Sequence, residues 1–292
     1  MLEVRDVSKS FGDKKVLEKI SIKADRGEAV SVLGKNGGGK TTLFKIILGL
    51  LEADEGTVTF DGKPLRLKDI GYLPEERSLY YDCPVEKQLR HFGLLKGVRK
   101  EELNGIIDYW LHRTGTWQYR DTIPLKLSKG NQQKIQMIVA LLNDPEIIVL
   151  DEPWTGLDVN NIELFQKLIS EQKYKNKLIL LSSHQHQQVQ RICDRYIYLN
   201  NGKTAVNITR KDLENSEYRS LSVTYKNGYY LQDDDILKEI YLDNKCTYIV
   251  RNETAAKRLA QTVSNYPEVT GIELRRLNIN DLIEGKDYEG TN

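Results

Sequence analysis

Apolar positions follow three rhythms along this chain of 292 residues. In the first, strands and turns dominate: "MLEVRDVSKSF" alternates, and "DRGEAVSVL" runs apolar into a glycine-rich stretch. "TTLFKIILGLL" then places Leu43, Ile46, Ile47 and Leu50 on one helical face, with Gly49 near the expected stop. "GTVTFDGKPL" predicts a hairpin turning at Asp61-Gly62. A second rhythm, helical in period, runs from about Pro84 to Asn143 through "VEKQLRHFGLLKG" and "KEELNGIIDYWLHRTG". After "LSKGN" comes a further helix, with Ile135, Ile138, Val139 and Leu142 on one face. The continuous apolar runs "EIIVLDEP" and "KLILLSSH" suit parallel strands buried on both faces. "NNIELFQKLISEQK" between them completes a βαβ unit.

Beyond about Asn215 the texture changes. "SLSVTYKNGYYLQ", "CTYIVRN" and "GIELRRL" predict strands, and "TAAKRLAQTVSNY" a helix with Thr254 near its start. The expected organisation is an α/β domain over residues 1–214 and a small α+β domain over 215–292. A helical subdomain at about 76–143 lies within the first.

Composition narrows the possibilities only slightly. With 43 Lys+Arg against 42 Asp+Glu, the net charge of +1 gives no bulk attraction to nucleic acid or an anionic membrane. No apolar run reaches the length of a membrane span. The charged start "MLEVRDVSKS" is unlike a secretory signal. Cys83, Cys193 and Cys246 are odd in number and far apart, so neither a disulfide framework nor zinc spacing is expected.

The candidate chemistry begins at "GKNGGGKTTL". Gly34, Gly39, Lys40 and Thr41 fit G-x-x-x-x-G-K-[ST], between an apolar strand and an amphipathic helix. Backbone N–H groups of residues 36 to 41, through Asn36, Gly37 and Gly38, are placed to curve around a phosphate at a helix N-terminus. A Cβ at Gly37 or Gly38 would hold the backbone off the anion. Lys40 would reach β- and γ-phosphates, and Thr41, followed by Thr42, would give its hydroxyl to Mg²⁺. Asp151 and Glu152 end an apolar strand, where ligands of open α/β sheets sit. Asp151 would hold Mg²⁺ through water, and Glu152 would polarise an attacking water.

"LSKGNQQ", Leu127 to Gln133, resembles the LSGGQ signature of the ATP-binding-cassette (ABC) ATPases. "SFG" with Phe11 resembles the loop that stacks adenine. "YLPEER" stands where the family has its Q-loop, "TGLD" resembles the D-loop with Asp158, and "LLSSH" ends at His184 like the switch histidine. The resemblance covers about residues 1 to 205. It implies a P-loop NTPase core with a β-rich N-terminal part, ATP and Mg²⁺ as ligands, and an ATP-driven head-to-tail dimer. Ser128, Gly130 and Asn131 would then contact the nucleotide of the other copy, a homodimer or a paralogous subunit. His184, preferred to His186, would bond the γ-phosphate; His91 and His112 fit surface or packing positions.

Four residues depart from the family pattern, one of them Asn131, which stands where the signature has glutamine. Glu75 replaces the Q-loop glutamine, where it would bind Mg²⁺ or a water and add negative charge. Lys129 in the signature and Lys35 in the phosphate loop would offset that charge. The group most resembled is the ABC-2 type exporter ATPases. That resemblance implies a separate permease, cytoplasmic location at the inner face of the cell membrane, and a groove near Leu79, Tyr80, Tyr81 and Val85 for a permease helix. Packing within the helical subdomain is the competing reading of those four residues. A soluble regulatory ABC ATPase is the alternative function.

Overall fold

A computed structural model describes residues 1–226 and 231–283. In chain order the elements are β1 (Leu2–Phe11), β2 (Lys14–Ala24), β3 (Ala29–Gly34), α1 (Lys40–Ile47), β4 (Glu55–Phe60) and β5 (Ile70–Leu73). Then come α2 (Val85–Leu95), α3 (Lys100–Arg113), α4 (Lys129–Leu141), β6 (Ile147–Asp151), α5 (Val159–Tyr174), β7 (Leu178–Ser182), α6 (His186–Ile192) and β8 (Arg195–Asn200). The last are β9 (Lys203–Thr209), α7 (Arg210–Glu214), β10 (Arg219–Tyr225), β11 (Ile236–Leu242), β12 (Lys245–Val250), α8 (Glu253–Ser264), β13 (Val269–Arg276) and α9 (Ile279–Ile283).

Two compact units divide at Thr204/Ala205, earlier than the 214/215 boundary expected from the change in texture. The first unit holds an antiparallel sheet in the order β2-β1-β4 and a larger sheet in which its strands run β5-β6-β7-β3-β8. The pairs β5/β6, β6/β7, β7/β3 and β3/β8 are parallel. β6 and β7 are buried along their whole length, as their unbroken apolar runs require. Their register sets Asp151 opposite Ser182.

Eight-residue α1 is too short to be stable alone. Leu43, Phe44 and Ile47 are almost wholly buried in the core between the sheets, each worth about 1.5–3 kcal/mol. The helix stops where Gly49 takes φ 69 and Leu50 N–H reaches back to Lys45 O at 2.8 Å. Leu50 therefore leaves the apolar face on which the 3.6-residue period put it, and is exposed.

The Asp61-Gly62 turn forms, with both residues at positive φ. Phe60 and Lys63 exchange backbone hydrogen bonds at 2.7 and 3.0 Å, but no second strand follows. Pro64 has no N–H to extend a ladder. β4 instead pairs with β1, Leu2 opposite Phe60.

The second unit contains the antiparallel sheet β11-β12-β10-β13. Helix α8, capped by Asn252, buries Ala255, Ala256, Leu259 and Val263 in a core with Leu221, Val223 and Tyr248. The expected strand "SLSVTYKNGYYLQ" forms from Arg219 to Tyr225; its positions 227–230 lie outside the described residues, as do 284–292 of the expected domain. β11 was not foreseen, because its burial alternates weakly at a sheet edge.

Candidate active site

The stretch between β3 and α1 lines a cleft of about 700 Å³ with Glu75, Asp151, Glu152, Thr155 and His184. Gly34, Lys35, Asn36, Gly37, Gly38, Gly39, Lys40, Thr41 and Thr42 are the residues of that stretch that line it. The need for glycine differs from the sequence expectation. At Gly37 the requirement is conformational, φ 77, with open space where a Cβ would stand. At Gly38 a Cβ would lie 2.9 Å from Lys35 O, a clash inside the loop itself. The Lys40 ammonium is held by the loop, donating to Gly34 O at 2.8 Å and Lys35 O at 3.1 Å.

The carboxylates arrive from β6. Asp151 is 1% exposed. Its Oδ1 accepts from the Ser182 hydroxyl, and its Oδ2 is sealed from solvent with no protein partner. A buried carboxylate oxygen without a partner is costly unless a ligand meets it. Next to it, Glu152 adopts φ 50, left-handed for a residue with a Cβ. That turn directs the chain out of the strand. Ser182 Oγ also accepts Glu152 N–H at 3.0 Å, so one hydroxyl fixes both acidic positions. Glu152 Oε2 accepts from His184, through the backbone N–H at 3.3 Å and Nδ1 at 2.9 Å.

The field in the cleft is negative on this side. Tyr72, on β5, has its hydroxyl pushed up to about 12, first by burial and then by Asp151, Glu75 and Glu76.

Other expected site residues lie elsewhere. Phe11 ends β1 half exposed, with the Lys9 ammonium 5.8 Å from its ring centre. Ser128 caps α4, its hydroxyl accepting Asn131 N–H at 3.3 Å. Gly130 faces Asn161 at the start of α5, and Asp158 caps α5 by accepting Asn161 N–H at 2.9 Å. None of these five lines the cleft. His186 opens α6, while His112 stacks on Trp117 at 4.2 Å. His91 sits beside Tyr80 and Phe92.

Of the four residues considered for docking, Leu79 and Val85 are buried and belong to the packing of the helical region. Tyr80 and Tyr81 are about half exposed, Tyr80 stacked on Phe92 at 5.5 Å. The residue missed by sequence reasoning is Ser182. Its signal was a hydroxyl closing the otherwise apolar "LILLS", level with "DE" on the neighbouring strand.

Among the described residues no group of three or more His, Cys, Asp or Glu could cage a metal. No helix among them is long and apolar enough to cross a membrane.

The sequence profile of the ABC transporter family matches residues 17–155. An ABC transporter ATP-binding protein of Methanocaldococcus jannaschii is 46% identical over 202 residues, covering 69% of this chain and 75% of that protein. The Nod factor export ATP-binding protein I of Sinorhizobium fredii is 34% identical over 211 residues, 70% of this chain and 62% of that one. A solved ATP-binding subunit of an ABC transporter shares the fold with a TM-score of 0.69 and 32% identity, over 73% of this chain and 92% of its own. Likeness of that extent, centred on a cleft whose loop, lysine and carboxylates suit a nucleoside triphosphate, places the chain in the ABC transporter family of ATP-binding proteins, as an ATPase.

Proposed function

We propose that the chain is the ATP-hydrolysing subunit of an exporter, in which two copies close head to tail on ATP and drive a separate membrane permease. One observation carries the dimer: Ser128, Gly130, Asn131 and Asp158 lie outside the cleft that contains Lys40 and Glu152. The N-terminus of α4 offers N–H groups to an anion that its own chain's phosphate loop does not hold. A second copy brings one. ATP then acts as a ligand of the closed pair and shifts the equilibrium toward it. The export direction rests on likeness to a Nod factor export ATP-binding protein. Residence at the cytoplasmic face follows from the permease.

The residues present fit Mg²⁺. Asp151 Oδ2 is a buried oxygen awaiting a donor or cation, and Thr41, with its hydroxyl, lines the same cleft. A site with so few protein oxygens suits a magnesium ion shared with phosphates and water. When bound, the ion neutralises phosphate charge during hydrolysis.

The chain's own groups do the rest. The loop N–H groups and Lys40 orient the phosphates, Lys40 exchanging its carbonyl partners for phosphate oxygens. Glu152 accepts the proton of the attacking water. His184 holds Glu152 in place and turns from it to bond the γ-phosphate. Glu75 would hold the ion or a water, and Lys35 and Lys129 would offset its charge. Phe11 stacks on the base.

The test is a trap. Glu152→Gln keeps ATP binding and stalls hydrolysis. The tagged variant is purified from its native membranes with ATP and Mg²⁺ present. A polytopic membrane protein in the eluate supports the transporter reading. A soluble homodimer with no membrane partner refutes it in favour of a regulatory ATPase.

A further inference from the structure

The segment after β5 touches three parts of the catalytic apparatus within four residues. Glu75 lines the phosphate cleft. Gln136, buried in α4 at 2% exposure, donates from Nε2 to Glu76 O at 3.1 Å and to Ser78 Oγ at 3.5 Å. Between those two anchors sits Arg77. Its guanidinium Nη2 is 3.9 Å from where a Cβ would stand on Gly156 of "TGLD", and Lys129 Cβ lies at the same distance from that point.

Two buried polar atoms at this junction have no partner. One is a donor, Arg77 Nε; the other is an acceptor, Gln136 Oε1. Native structures rarely leave such atoms unpaired, and each exception calls for a cause. Here donor and acceptor are complementary, and the Gln136 amide already grips both neighbours of Arg77.

We propose that Arg77 and Gln136 are positioning residues of the ATPase, whose unpaired Nε–H and Oε1 join when the 75–78 segment moves toward a nucleotide in the cleft. Neither residue touches the reacting atoms. Closure of this one bond registers α4 and the Gly156 loop against the phosphate site, through Glu75 at one end and Gln136 at the other. The inference concerns the ATPase reaction of the isolated chain, so its failure leaves the permease reading untouched.

The test is a double-mutant cycle with Arg77→Lys, which keeps the charge but removes Nε–H, and Gln136→Met, which keeps the volume but removes the acceptor together with the Nε2 bonds to Glu76 O and Ser78 Oγ. ATP turnover is normalised to the measured ATP-binding stoichiometry, so unfolded protein does not count. Arg77→Lys should lose about tenfold in kcat, the scale of one hydrogen bond to a charged group, and Gln136→Met at least as much, each with ATP Kd within about twofold of wild type. The double variant should be no slower than Gln136→Met alone, because once Oε1 is gone Arg77→Lys has no bond left to remove. Hydrogen exchange of the peptide around residues 74–80 should slow on adding ATP in wild type, and not in either variant. A merely structural role would change exchange equally with and without ATP. Unchanged kcat in both single variants, or single losses that multiply in the double variant, overturns the proposal.

Discussion

Lys96, which caps α2, is mostly shielded from water, and its ammonium has one long contact, to Ile70 O at 3.4 Å. Burial pushes its pKa down from 10.5 to about 8. The charged form is thus penalised in the folded state. Below pH 8 the lysine is charged in both folded and unfolded chains, and the fold carries the whole penalty. Between pH 8 and 10.5 the folded chain releases its proton first, so the penalty fades as pH rises; above 10.5 it is gone. A displacement of this size corresponds to about 3 kcal/mol at pH 7. The cation also lies at a helix C-terminus, where the dipole returns about 0.3–1 kcal/mol. Lys96→Met keeps the stem and removes the charge, and should stabilise the protein by about 1–3 kcal/mol at pH 7. In a domain of this size that raises Tm by about 2–4 °C per kcal/mol. Thermal unfolding of variant and wild type is compared at pH 7 and pH 10, the other titrating groups cancelling in the difference. A gain at pH 7 that shrinks at pH 10 is the expected result. No gain at pH 7, or the same gain at both, refutes the reasoning.

Three further outcomes concern the cleft. Ser182→Ala leaves Asp151 Oδ1 and Glu152 N–H without their shared partner; kcat should fall about tenfold or more, measured by phosphate release, with little change in ATP Kd. Glu75→Gln removes a negative charge from the wall and should tighten ATP binding about threefold to tenfold, less so at high salt. An unchanged Kd in a fluorescent-nucleotide titration would count against the electrostatic role of Glu75. Gly39→Ala places a Cβ 2.7 Å from Leu17 Cδ2 and 2.9 Å from Val16 O at φ 96; calorimetry should show a loss of about 1–3 kcal/mol, together with weakened ATP binding.

The sequence disclosed most where one local cause decides the structure. β6 and β7 are buried on both faces, so their apolar runs had no rival reading, and α5 between them forced a parallel pair. The glycine-rich loop declared itself because glycine, lysine and threonine fit G-x-x-x-x-G-K-[ST] between an apolar strand and an amphipathic helix. Features that depend on distant partners were hidden. β4 runs into its predicted turn, yet its neighbour is β1, more than forty residues earlier in the chain. Leu79 and Tyr80 are adjacent, but tertiary packing buries the first and half exposes the second. Ser182 reads as the end of a strand until the β6–β7 register sets it against Asp151.

Glu152 occupies a backbone position that glycine or asparagine would fill with less strain, since a left-handed residue bearing a Cβ costs about 1–2 kcal/mol. With Glu152 as the proposed base, selection for folding and selection for hydrolysis oppose each other at one codon. In a library screened only for soluble expression, position 152 should drift toward glycine or asparagine, and the best-behaved proteins would be the inert ones. Copies of this cassette released from the need to turn over ATP would have a thermodynamic reason to lose this carboxylate early.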